Sequence, residues 1–271
     1  MKIEDNRYSS RIDRKLYLAL SNSGFYSDCV QSGMKSFNIT SLVDDNNNVN
    51  DDMINIFENY FNDLRLNKKF LECEIQEQFN QSITELFRRY NSLTSLKYVN
   101  SFNKKAVGDK ASDCCFTFKN ININKKEEHE ALQDFIVCVG ELKSPTNSIN
   151  SKESMGQLLR YLALILDVQK RVKIYGFLTN VKFIKFFYVT KDPHSSSCHY
   201  YESDDKLEMI SGLPKPSSSS SSSTNSKASD KQPEEYRFHR NAWSIFITFL
   251  TMNWNFYEYP GRSFRMFVTA S

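Results

Sequence analysis

Apolar positions along this chain change period several times, and each change marks an element. From Met53 to about Leu66 the residues Met53, Ile54, Ile56, Phe57, Tyr60, Phe61 and Leu64 recur at helical spacing. A second helical pattern covers about Asn67 to Leu93, with Phe70, Leu71, Ile75, Phe79, Ile83, Leu86, Phe87 and Tyr90 on its apolar face. The period then shortens. Cys114–Phe118 is aromatic and bounded by polar residues, as strands are. A polar loop of about Lys119 to Gln133 leads into the apolar run Phe135–Lys143, so the two runs predict an antiparallel hairpin. Pro145 stops the second run and Ser144-Pro-Thr-Asn-Ser opens a loop.

The strongest helical stripe follows. Ser151 is a candidate cap, and Met155, Leu158, Leu159, Leu162, Ile165 and Leu166 repeat at 3.6 residues through about Gln169. Val172–Thr179 and Phe183–Val189 then predict two strands joined at Asn180-Val-Lys. Strand, strand, helix, strand, strand gives a mixed sheet with helices on its faces. Leu213 to Glu235, with its serine run, cannot repay the entropy of ordering and predicts a disordered linker. Phe238 to about Phe256 predicts a strongly apolar helix. A tail that short cannot bury a core of its own, so it should dock on the rest. The expected organisation is a helical N-terminal extension over residues 1–66, a core over 67–212, a linker over 213–236 and a C-terminal helix within 237–271.

Composition narrows the class. Hydrophobic residues make up 40% of the 271 positions, enough for a core. No eighteen-residue apolar run exists, and the first residues carry no apolar signal region, so the expectation is an intracellular protein of nucleus or cytoplasm with no membrane partner. Six cysteines without C-x-x-C spacing read as reduced, and no histidine pairs with them at zinc-ligand spacing. A net charge of +3 permits nucleic-acid binding without announcing it. Lys170, Arg171, Lys173, Lys182 and Lys185 interleave with aromatics after the apolar helix. Strand alternation accounts for that pattern unless these lysines flank a site.

The candidate chemistry lies where strands end. Glu141 and Lys143 alternate with Leu142, so both point to one face while Leu142 points to the other. Asp113 heads the preceding strand, with Asp109 a competitor for its role. Two carboxylates can hold Mg²⁺ or Mn²⁺, hard cations that prefer oxygen. Such an ion lowers the pKa of a bound water and neutralises charge on a phosphate. A lysine beside it can orient the water and stabilise the transition state.

Asp113, then Glu141-Leu-Lys143, then a helix carrying Gln157-Leu-Leu-Arg-Tyr161 resembles the PD-(D/E)xK nuclease superfamily, in its RecB-like branch and the nuclease-like domains of Crinkler-type proteins. Gly176–Asn180 followed by Ile184–Tyr188 is similar to the later hairpin of that group, and the resemblance covers about residues 70–190. Ser112 stands where a proline often precedes the first acid. The resemblance implies a restriction-endonuclease-like α/β core and metal-dependent cleavage of phosphodiesters, in DNA ahead of RNA. It assigns Asp113, Glu141 and Lys143 as catalytic, with Asp113 and Glu141 on the metal. Glu85, on the upstream helix, is the candidate third carboxylate, and its alternative is an ordinary surface glutamate. Gln157, Arg160 and Tyr161 would support the site and touch substrate. The alternative function is a catalytically silent nuclease fold that binds nucleic acid or protein, working beside a partner protein or a kinase-like domain.

Overall fold

The short-period runs pair edge to edge, and the long-period stripes pack across them. The computed structural model describes residues 20–43, 49–66, 71–101, 105–107, 110–121, 132–192, 197–212 and 236–257. In chain order the strands begin with β1 (Lys35–Phe37), β2 (Leu96–Asn100), β3 (Lys105–Val107), β4 (Lys110–Ala111), β5 (Cys114–Phe118) and β6 (Ile136–Leu142). They continue with β7 (Lys173–Thr179), β8 (Phe183–Lys191), β9 (Cys198–Ser203), β10 (Leu207–Glu208), β11 (Ile210–Ser211) and β12 (Arg237–Phe238). The α-helices are α1 (Asn22–Phe25), α2 (Ile39–Leu42), α3 (Asp51–Leu66), α4 (Glu72–Arg89), α5 (Lys152–Gln169) and α6 (Arg240–Thr251).

Eight strands form a central sheet in the order β1-β9-β8-β7-β6-β5-β2, with β10 added to β8. Neighbours are antiparallel except β6 with β7 and β1 with β9, which run parallel. Helix α5 lies between β6 and β7 in sequence, the connection that a parallel pair needs. The fold is α/β, a mixed sheet flanked by helices.

Alternation along the strands divides the core in two. Phe116, Cys138, Tyr175, Phe177 and Phe186 face α3, α4 and α6, where Phe57 stacks on Trp243 at 4.8 Å between ring centroids. Cys115, Val139, Ile174, Leu178 and Phe187 face the apolar stripe of α5. Ser151 caps α5, its Oγ accepting from the Ser154 amide at 3.1 Å. Gly156 of α5 lets α1 approach: a Cβ there would lie 1.9 Å from the Asn22 carbonyl oxygen.

Several boundaries and one assignment differ from the sequence expectation. The residues before β2 are not purely helical, because Lys35–Phe37 pairs with β9 in the register Lys35↔Tyr201. Three residues are too few to show a strand period. Among the described residues α4 begins at Glu72, where the extended Leu71 donates its amide to Glu74 Oε2 at 3.1 Å. Helix α6 is shorter than its apolar stripe, because Phe238 pairs in β12 with Ile210 and Met252 turns extended. The sequence around His194 and His199 is polar and reads as a loop, yet His199 lies in β9. No helix among the described residues is long and apolar enough to cross a membrane. The serine-rich linker, Asp109, His194 and the chain beyond Tyr257 lie outside the described residues.

Candidate active site

The sheet brings the two acids together through one hairpin. β5 and β6 are antiparallel with Cys114 opposite Gly140, so Asp113, one residue before β5, lies across from the end of β6. The Leu142 amide donates to Asp113 Oδ2 at 2.6 Å. Leu142 itself points into the core with α3, α4 and α6. Glu141 takes the opposite face, and Lys143 follows it there. Lys143 Nζ lies 3.2 Å from Glu141 Oε2 and 3.9 Å from Asp113 Oδ2. The Lys143 amide donates to the Thr179 carbonyl at 2.8 Å, which continues the β6–β7 pairing by one residue and fixes the lysine backbone.

This triangle is buried. Glu141 is 0% exposed, Asp113 is 8% exposed, and the Lys143 side chain is 12% exposed. Burial, and then the charge of Asp113, hold the Glu141 carboxyl well above the usual carboxylate range. Burial also raises Asp113, although Lys143 and the Leu142 amide work against it. For Lys143 burial alone would lower the pKa. Glu141, Asp113 and Glu72 outweigh it and raise the ammonium above the ordinary lysine value. Glu141 Oε1 is buried with no donor from the rest of the protein, while the Glu141 and Asp113 carboxyls are close enough to hydrogen-bond to each other when one of them carries a proton.

An orphaned carboxylate oxygen beside a second carboxylate fits a divalent cation. Mg²⁺ commonly keeps several waters and takes one or two protein carboxylates. Among the described residues no three His, Cys, Asp or Glu side chains form a metal cage; Asp113 and Glu141 are the two neighbouring carboxylates that could hold an ion.

Helix α5 closes the same face. Gln157 Nε2 donates to the Tyr161 hydroxyl at 3.3 Å, and Tyr161 donates to the Ala111 carbonyl at 3.0 Å. Burial and then the charge of Glu141 push the Tyr161 phenol pKa up, which places that hydroxyl in the field of the acids. The Tyr161 proton is committed to the backbone two residues before Asp113.

Two expected site residues are elsewhere. Glu85 is ion-paired with Arg88 at 2.8 Å and with Arg89, and its hydrogen bonds to these two arginines bring its pKa down to about 2. The acid that α4 does present is Glu72, with Oε1 4.0 Å from Lys143 Nζ. Thirteen residues separate the two glutamates, about 20 Å at the helical rise, so Glu85 cannot share an ion with Asp113 and Glu141. Arg160 is engaged by the N-terminal segment: Nη1 donates to the Leu20 carbonyl at 2.7 Å and Nη2 to Asn22 Oδ1. It ties α5 to α1. Sequence reasoning passed over Glu72, and also Gln76, which is 2% exposed and donates to the Asp113 carbonyl at 3.2 Å. Their signal was present, since positions 72 and 76 continue the stripe of Phe79 and Ile83 but are polar.

A cleft of about 520 Å³ between α3 and α4 is lined by residues including Asn55, Asn59, Gln81, Glu85 and Arg89. None of Asp113, Glu141 and Lys143 lines it. The chemistry-bearing groups, not this cleft, mark the candidate site. Comparison of the chain with protein-family models and with curated proteins finds no match.

Proposed function

We propose that this protein is a nuclease of the PD-(D/E)xK type, with a restriction-endonuclease-like core, that hydrolyses phosphodiesters in DNA ahead of RNA using Mg²⁺ or Mn²⁺. The observation that carries the reading is the convergence of Asp113, Glu141 and Lys143, with a buried Glu141 oxygen that has no donor. When bound, the ion supplies a water of lowered pKa and neutralises charge on the phosphate. Asp113 and Glu141 would hold it through their oxygens. Lys143 keeps its proton and offers an ammonium to the attacking water or to the phosphate oxygens. Tyr161 and Gln157 brace the Asp113 segment from α5.

The near-complete burial of the triangle favours a second reading, in which Lys143 is a permanent counter-ion in a silent fold that binds nucleic acid or protein. Cleavage of supercoiled plasmid and of single strands, with Mg²⁺ or Mn²⁺, separates the two. The nuclease reading expects metal-dependent products that disappear in both Glu141→Ala and Lys143→Ala. Well-folded wild type that cuts neither substrate, or variants that cut as well as wild type, would leave the silent module standing.

A further inference from the structure

The segment leading to Asp113 is held in an unusual way. Asp113 lies in a bend between β4 and β5, where its own backbone is outside the ladder. Three successive carbonyls there each accept a hydrogen bond from a side chain of a different element. Tyr161 of α5 donates to Ala111 at 3.0 Å, Ser101 just past β2 donates to Ser112 at 2.9 Å, and Gln76 of α4 donates to Asp113 at 3.2 Å.

The donors are themselves fixed. Gln76 Nε2 also donates to Asn80 Oδ1 at 2.8 Å, and Tyr98 of β2 donates to the same oxygen. Ser101 and Ser112 hydroxyls lie 3.1 Å apart, and Ser112 Oγ lies 3.0 Å from Cys115 Sγ. Ser101, Ser112 and Cys115 are all fully buried. Gln76 Oε1 is buried with no donor, so the hydrogen bonds this amide makes here come from its NH₂. A buried amide with an orphaned oxygen is costly as packing alone.

We propose that Gln76 and Ser101, with Tyr161, are positioning residues that set where the Asp113 carboxylate sits, and thereby set the affinity of the acid pair for a divalent cation. The proposal rests on the reading that Asp113 and Glu141 hold such an ion. Partners that orient a metal ligand without touching the metal change affinity by about 10–100-fold when removed. A carboxylate whose backbone is free to rotate gives up the Leu142 amide and with it a fixed place beside Glu141.

The test is Mn²⁺ binding by calorimetry, together with the electron paramagnetic resonance spectrum of the bound ion, on the full chain. The variants are Gln76→Met, which keeps length without donors, Ser101→Ala, Ser101→Thr, and Phe246→Leu as a control for destabilisation in the core away from the acids. Gln76→Met and Ser101→Ala should each weaken Mn²⁺ binding about tenfold and alter its spectrum. Ser101→Thr, which keeps the hydroxyl, should retain affinity, and Phe246→Leu should lower the melting temperature without changing affinity or spectrum. Folded Gln76→Met and Ser101→Ala that bind as wild type does would overturn the clamp alone. Wild type that binds no Mn²⁺ would overturn both the clamp and the metal reading beneath it.

Discussion

The main-chain amide of Leu142 is bonded to Asp113 Oδ2 at 2.6 Å, so the first acid is fixed by the backbone that separates Glu141 from Lys143. One hairpin register therefore sets all three groups. It also concentrates two carboxylates in a buried space with one ammonium beside them, an arrangement that burial makes costly. The protein carries that cost in forms that can be measured.

The first form is pH dependence. Burial raises the folded pKa of Glu141 and Asp113 above their unfolded values, near 4. Their contribution to stability is fully present below the unfolded values and is lost as pH rises through the folded ones. Melts without metal should show Glu141→Gln gaining on wild type as pH goes from about 4.5 to 8. A difference that stays constant with pH would mean Glu141 is ionised at no cost.

Metal binding should have the opposite slope. The ion competes with protons for the raised carboxyls, so the melting temperature gained on adding Mn²⁺ should increase with pH. Thermal shifts at fixed Mn²⁺ across pH 5.5 to 7.5, roughly the range where such groups exchange protons for metal, check this. An equal gain at both ends would contradict it.

Lys143 can be tested as a counter-charge. Removing one member of a buried pair leaves the other charge uncompensated, at about 3–5 kcal/mol. Lys143→Met should be destabilised by an amount of that order, and Mn²⁺ should restore more stability to it than it adds to wild type. Chemical denaturation with and without Mn²⁺ gives both quantities. Equal gains would place the ion away from the lysine.

The two glutamates of α4 should behave differently. Glu72→Gln, which removes a charge 4.0 Å from Lys143 Nζ, should weaken Mn²⁺ binding severalfold. Glu85→Gln should leave it unchanged, because that carboxylate is committed to Arg88 and Arg89. Calorimetric titration of both variants decides, and a Glu85→Gln loss would return Glu85 to the site.

Packing gives an independent check on the α1–α5 contact. Gly156→Ala places a methyl 1.9 Å from the Asn22 carbonyl oxygen and must displace α1. It should cost about 1–3 kcal/mol in denaturant unfolding. Gly33→Ala, which meets nothing within 4 Å, should change stability by about 0.5 kcal/mol or less.

Periodicity carried the sheet-helix-sheet order well, because β5, β6, α5, β7 and β8 are long and strongly patterned. It missed β1, β3, β4, β10, β11 and β12, two or three residues each, and also β2 and β9, five and six residues long, whose half-polar sequences lie at or next to the edges of the sheet. In the site, alternation placed Glu141 and Lys143 on one face and Leu142 on the other. Sequence spacing could not choose Glu72 over Glu85, since both lie on α4 and only the packing of its first turn against β6 separates them. Arg160 has the same lesson. Its position beside Tyr161 suggested substrate, yet a residue one step along a helix faces about 100° away, here toward Leu20 and Asn22.

The most direct measurement is calorimetric titration of Mn²⁺ into wild type, Asp113→Asn and Glu141→Gln, each shown to be folded. A shared site predicts one ion per wild-type chain and loss of that binding in both variants. Wild-type binding that survives either substitution, or no binding at all, would contradict a metal held jointly by Asp113 and Glu141.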